Sequence, residues 1–73
     1  MILGLELSPR RAWLLTQVIT AGRAGVHARD LGINRLTLRA MVIQINDILE
    51  QTDYRIVGTR GRLGGDYRIE KVR

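Results

Sequence analysis

Arginine is the residue type best suited to recognition chemistry in this chain. Eleven of its twelve basic residues are arginine, and with seven acidic residues the net charge at pH 7 is +5. A guanidinium presents a planar fork of donors that contacts phosphate, guanine or carboxylate in bidentate fashion. The charge balance therefore favours a polyanion or an acidic protein surface as the partner. An arginine-rich proteome would produce the same preference for arginine over lysine.

The positive charge is concentrated towards the end of the chain. The net charge is +2 over residues 1–33, −1 over 34–53 and +4 over 54–73. Arg60 and Arg62 lie in a glycine-rich part of the last segment, and Arg68 follows them. These three arginines are the first candidates for contacts to an anionic partner.

Arg10 and Arg11 are a second candidate pair, placed directly after Pro9. The first turn of a helix carries a positive local potential, so two cations there are slightly unfavourable. The pair is either a tolerated solvent-facing feature or a contact to a negatively charged partner.

Catalytic chemistry is not expected. The chain has no cysteine, its only histidine is His27, and no carboxylate pair or nucleophile with a base stands at a workable spacing. Several glycines near the C-terminus resemble a phosphate-cradling loop, but no helix and no lysine-hydroxyl pair follows them. These are Gly58, Gly61, Gly64 and Gly65. We expect no enzyme activity, metal, cofactor or small-molecule substrate.

Seventy-three residues suffice for one small domain spanning the chain. No apolar run reaches the roughly 18 residues that cross a bilayer, and the N-terminus does not look like a signal peptide. The expectation is a cytoplasmic protein without a membrane partner. Because no dimerisation heptad is present, we expect a monomer.

The first half of the chain predicts a strand followed by two helices. Alternating apolar residues predict a strand over 1–7, and Ser8 with Pro9 predicts the start of a helix that runs to Ala21 and ends at Gly22. Trp13 is expected at the margin of its apolar stripe, which comprises Leu14, Leu15, Val18 and Ile19. A short helix is predicted over 28–31, with Asp30 as a candidate capping acceptor for His27.

The second half predicts a long helix and a hairpin. Asn34 is a good N-cap for a helix over 35–51, whose buried side comprises Leu38, Met41, Val42, Ile45, Ile48 and Leu49. Strand-like runs at 54–59 and 66–72 are joined by the glycine- and arginine-bearing tip 60–65. Ile56 and Ile69 are expected to face the helices, flanked by Tyr54 and Tyr67.

Two helices joined by a tight turn predict a helix-turn-helix. Ala28 supplies the small residue where the helices cross, Gly32 the turn, Ile33 a core contact and Asn34 the next cap. A basic hairpin directly after the second of these helices strengthens that interpretation. The predicted fold class is α+β.

The sequence resembles the winged-helix DNA-binding module, in particular the OmpR/PhoB type. The resemblance extends from Leu5 to about Lys71 and is most specific in the segments 5–9 (LELSP) and 65–69 (GDYRI). It implies a winged helix whose third helix enters the major groove of DNA and whose hairpin contacts the backbone or minor groove. The sequence departs from the family at Arg11, where an acid is usual, in its single N-terminal strand, and in lacking a receiver domain. The resemblance therefore suggests a stripped-down module without the usual phosphorylation control, of the size of small phage-encoded regulators.

The candidate contact residues combine the outward positions of the third helix with the arginines of the wing. Arginine side chains on the third helix can bind guanine, and glutamine or asparagine side chains can bind adenine. The arginines of the wing would hold phosphates. The set comprises Arg10, Arg11, Arg35, Thr37, Arg39, Ile43, Gln44, Asn46, Arg60, Arg62 and Arg68.

A second function remains open because Ile43 is predicted on the solvent face with Asp47 and Glu50 on the following turns. An apolar anchor with a polar rim suits a protein groove. The sequence thus predicts a transcription regulator that binds double-stranded DNA, or a phage-type regulator that binds RNA polymerase through the same helix face and hairpin.

Overall fold

The computed structural model describes residues 4–58 and 67–72. Its elements are the helices α1 (Pro9–Ala21), α2 (Ala28–Leu31) and α3 (Arg35–Leu49), followed by the strands β1 (Tyr54–Gly58) and β2 (Tyr67–Lys71). A short 3-10 helix, Gly22–Ala24, follows α1 and was not predicted. The predicted α+β class is confirmed, and three helices followed by an antiparallel hairpin form a winged-helix-like arrangement.

Helix α1 has the predicted bounds and largely the predicted buried side. The Ser8 hydroxyl accepts a hydrogen bond from the Arg11 N–H at 3.4 Å, and Gly22 ends the helix with a φ of +59°. Leu14, Leu15 and Val18 are fully buried. Ile19 was predicted in the same stripe, but it is 39% exposed because it projects at an angle to those three. Trp13, predicted at the core margin, has the same exposed fraction.

The turn between α2 and α3 follows the predicted chemistry. Gly32 adopts the left-handed conformation, with φ +69° and ψ +25°, and the Asn34 side chain accepts the Leu36 N–H at 2.7 Å. His27 occupies the N-cap position of α2, but its side chain makes no capping hydrogen bond. Helix α3 ends at Leu49, two residues before the predicted end.

The hairpin is held by an antiparallel ladder in which Ile56 is opposite Ile69. Strand β2 ends at Lys71, one residue before the predicted end, whereas residue 59, residue 66 and the predicted tip 60–65 lie outside the described residues. Val26 adds an isolated antiparallel bridge to Tyr67, with the Val26 N–H donating to the Tyr67 carbonyl at 2.7 Å. Strand β2 therefore lies between β1 and this bridge.

The predicted N-terminal strand is absent from the part of it that the structure describes, residues 4–7. Gly4 has a φ of +74°, which interrupts an extended run, and Leu5 makes only an isolated bridge. The predicted alternation still holds here, since Leu5 is buried and Glu6 is exposed.

The core lies where the three helices meet the hairpin. Its largest fully buried side chains come from α1 and α3, and Ile56 contributes from β1. Ile48 was predicted in the buried side of α3 and packs against the core while remaining half-buried. One side of α3 thus packs against the core, and the opposite side of α3 is exposed to solvent.

Candidate nucleic-acid interface

The solvent-facing side of α3 has an apolar centre. Leu36 is 75% exposed and Ile43 is 54% exposed, and Ala40 between them is exposed as well. These positions are spaced four and three apart, so they form one line along the helix. We call Leu36, Ala40 and Ile43 the outer line of α3. Ile43 was predicted here, whereas Leu36 was not. Leu36 comes two residues before the buried Leu38 and therefore projects from the opposite side of the helix, which could have shown that it is exposed.

Arginines flank the outer line on the side of the hairpin. Arg35 and Arg39 are exposed and line a groove of about 370 Å³ between α3 and the hairpin. Gly58 and Tyr67 line the same groove. Gly58 is the last residue of β1 and Tyr67 is the first residue of β2, so the groove lies at this end of the described hairpin.

A second groove of about 540 Å³ flanks the outer line on the side of α1. Leu36 and Ala40 border it, as do Arg10, Arg11 and Gln44. Arg10 is exposed and Arg11 is half-buried. Thr37, a predicted contact residue, also lines this groove and is half-buried, so it lies at the edge of the exposed side.

Arg11 and Gln44 are joined directly. The Arg11 Nε and Nη2 atoms both donate to Gln44 Oε1, at 3.1 Å and 2.9 Å. The contact connects the first turn of α1 with the middle of α3. The contact also explains why a cation is tolerated in the first turn of α1. Its unfavourable interaction with the helix dipole costs about a few tenths of a kcal/mol, and two hydrogen bonds offset that cost.

Asn46 does not belong to the contact surface. It was predicted as a base reader, but its half-buried side chain binds the backbone of Ile56 at both the N–H and the carbonyl group. An amide occupied in this way holds α3 to β1. We therefore correct its role from recognition to structure.

The predicted wing arginines fall into two groups. Arg60 and Arg62 lie outside the described residues. Arg68 is on β2, where Nη2 lies 3.5 Å from Glu70 Oε2 and the side chain is 30% exposed. Its neighbour Ile69 packs on the core, so Arg68 points to the outer face of the hairpin.

The charge on the exposed side of α3 changes sign along the helix. Arg35 and Arg39 are in the first half, whereas Asp47 and Glu50 are exposed in and just after the second half. An anionic partner would therefore be attracted to the N-terminal half and repelled from the C-terminal end.

The site offers donors, positive charge and apolar contact. Within residues 4–58 and 67–72, no group of three or more His, Asp or Glu residues is placed to hold a metal ion. In the same part of the chain, no helix combines the length and the apolar character that crossing a membrane requires.

Comparison of the chain with protein-family models, with curated proteins and with solved structures gives no match.

Proposed function

We propose that this protein is a DNA-binding transcription regulator that places the N-terminal half of α3 in the major groove. The observation that carries the proposal is the groove shared by α3 and the hairpin. Arg35 and Arg39 line it together with Gly58 and Tyr67, at which the described strands end. A duplex lying on the basic half of α3 would therefore also lie against this end of the hairpin.

The charge change along α3 supports this orientation. In helix-turn-helix proteins the N-terminal residues of the recognition helix contact base edges, while its far end leaves the groove. Arg35 and Arg39 lie at the end that would enter, and Asp47 and Glu50 lie at the end that would leave. Arg39 is a candidate for bidentate contact to guanine.

The outer line of α3 is compatible with base reading. The thymine methyl group is the apolar feature of the major groove, and small or branched apolar side chains contact it. Leu36 and Ala40 would supply such contacts beside Arg35 and Arg39, in the half of α3 that enters the groove. The resemblance of residues 5–71 to winged-helix modules of the OmpR/PhoB type supports the same function, with Arg60 and Arg62 on phosphates. In this proposal the regulator acts in the cytoplasm, as a monomer in isolation.

The test is selection of bound duplexes from a random library by the full chain, followed by affinity measurements at several salt concentrations. We expect an enriched sequence and a preference over random duplex that persists at physiological salt. Arg39→Glu should weaken binding at least tenfold, because the new carboxylate would repel the DNA where the arginine attracted it. Arg23→Glu is the matched control, since Arg23 is exposed in the 3-10 helix, which packs against α1 and β2, and it lines neither of the two grooves beside α3. Equal weak binding of all duplexes would overturn the proposal.

A second candidate function is favoured by the exposed fractions of Leu36 and Ile43. Exposed apolar residues flanked by arginines also suit an acidic protein surface with an apolar pocket. Under this alternative the protein is a phage-type regulator that binds RNA polymerase. RNA polymerase subunits that stay bound to the protein after nuclease treatment, and are lost with Ile43→Lys, would favour it over DNA recognition.

A further inference from the structure

The contact between Arg11 and Gln44 limits what Gln44 can recognise. A guanidinium only donates hydrogen bonds, so the side of the Gln44 amide that faces Arg11 must be the oxygen. Two donors converge on that oxygen, Arg11 Nε at 3.1 Å and Nη2 at 2.9 Å. A carbonyl oxygen has two lone pairs, so two donors fill its capacity to accept hydrogen bonds.

The nitrogen of the same amide remains available. Gln44 is exposed, and no hydrogen bond within the described residues uses its Nε2 atom. Gln44 also borders the groove between α1 and α3 next to Ala40. The Gln44 amide therefore presents two N–H donors and no free acceptor.

A glutamine that is not held in this way reads adenine with a pair of hydrogen bonds. Its nitrogen donates to adenine N7, and its oxygen accepts from the adenine N6 amino group. With the oxygen occupied by Arg11, the second of these bonds cannot form. Guanine presents two acceptors, N7 and O6, in the major groove, and both suit a donor-only amide.

We propose that Arg11 is a positioning residue that converts Gln44 into a donor-only reader, which selects guanine over adenine at the base pair it faces. The inference rests on the proposed function, because it concerns a base edge in the major groove. It assigns Arg11 a part in specificity that does not require Arg11 to touch DNA.

The experiment compares base preferences, which a merely structural role would not alter. The sequence selected by the wild-type protein is varied one base pair at a time, and duplex affinities are measured for the wild type, Arg11→Met and Gln44→Glu. Arg10→Met is the matched control, since it removes the same charge from the neighbouring exposed position.

We expect one position at which the wild type prefers guanine to adenine by about tenfold. Arg11→Met should move the preference at that position towards adenine, because the Gln44 oxygen becomes free. Arg10→Met should weaken all duplexes by a similar factor and leave the preference unchanged. Gln44→Glu keeps a partner for Arg11 but has no donor, so it should lose the guanine preference and favour cytosine.

The outcomes separate the inference from the proposed function. Binding of a selected sequence with the same preferences in Arg11→Met and in the wild type would overturn the inference and leave the function intact. If Arg11→Met does not fold, retention of the guanine preference by Gln44→Glu overturns the inference in the same way. A wild-type protein that prefers no duplex would overturn the proposed function, and the inference with it.

Discussion

Asn46 pairs with both backbone polar groups of Ile56. Its Nδ2 donates to the Ile56 carbonyl at 2.9 Å, and the Ile56 N–H donates to its Oδ1 at 2.8 Å. Ile56 lies in the middle of β1, and these two groups point away from β2. The Asn46 amide therefore replaces a neighbouring strand at this edge and joins α3 to the hairpin.

Replacing Asn46 should lower the free energy of unfolding more than replacing its exposed neighbour Asp47. Asn46→Ala leaves two half-buried backbone groups of Ile56 without a partner, and we expect a loss of about 2 kcal/mol in the free energy of unfolding. Asp47→Ala, at the next and exposed position, should stay within about 0.5 kcal/mol. Urea unfolding measures both. Equal effects of the two substitutions would contradict the structural role of Asn46.

Gly32 should tolerate asparagine better than alanine. Its φ of +69° lies in the left-handed region, and a Cβ built there meets no atom within 4 Å. The penalty for Gly32→Ala is therefore conformational rather than steric, about 1–2 kcal/mol. Gly32→Asn should be milder because asparagine visits this region more readily. In thermal unfolding, an alanine variant as stable as the wild type would refute this account of the turn.

Replacement by alanine should destabilise the protein much more at Ile45 than at Ile43, two isoleucines of the same helix. Ile45 is fully buried, so Ile45→Ala should cost about 2–5 kcal/mol, whereas Ile43 is 54% exposed and Ile43→Ala should cost less than about 1 kcal/mol. Chemical denaturation of the two variants side by side measures the difference. Similar losses would show that Ile43 is covered in the folded protein.

Ile43→Lys should separate the two candidate functions. On DNA an added cation on α3 should leave affinity unchanged or raise it, because it attracts phosphate. On a protein partner it should weaken binding, because a charge would enter an apolar contact. Titration of the same variant against the selected duplex and against purified RNA polymerase measures both effects. Loss of DNA binding without loss of folding would count against the arrangement proposed for α3.

Binding curves at several salt concentrations should show whether Arg39 contacts a base or a phosphate. Each phosphate contact contributes about 0.9 to the slope of log affinity against log salt concentration, whereas a contact to guanine contributes mainly to sequence preference. If Arg39 reads a base, Arg39→Ala should lower affinity for the selected duplex more than for random duplex. Arg23→Ala should change neither, and this comparison requires only binding curves at three or four salt concentrations. An equal loss on both duplexes would assign Arg39 to phosphate instead.

Local sequence signals predicted most of the elements. Ser8 and Pro9 mark the start of α1, and Gly32 and Asn34 mark the turn into α3, because caps and left-handed positions depend on a few adjacent residues. The predicted strand over 1–7 was wrong in its described part, where Gly4 interrupts it. Helical periodicity placed Ile43 on the solvent side, but it placed Ile19 in the core, because the width of a buried stripe depends on what packs against the helix.

By itself, the amino-acid sequence determined the α+β class, the order of three helices and a hairpin, and a strongly basic chain. Only the tertiary structure decided which polar side chains form hydrogen bonds with distant segments of the chain. Asn46 and Gln44 are both amides that periodicity places outside the buried stripe of α3, yet one binds the backbone of β1 and the other binds Arg11. The physical reason is that hydrogen bonds between distant segments depend on how helices and strands pack, which the spacing of residues along one helix does not encode.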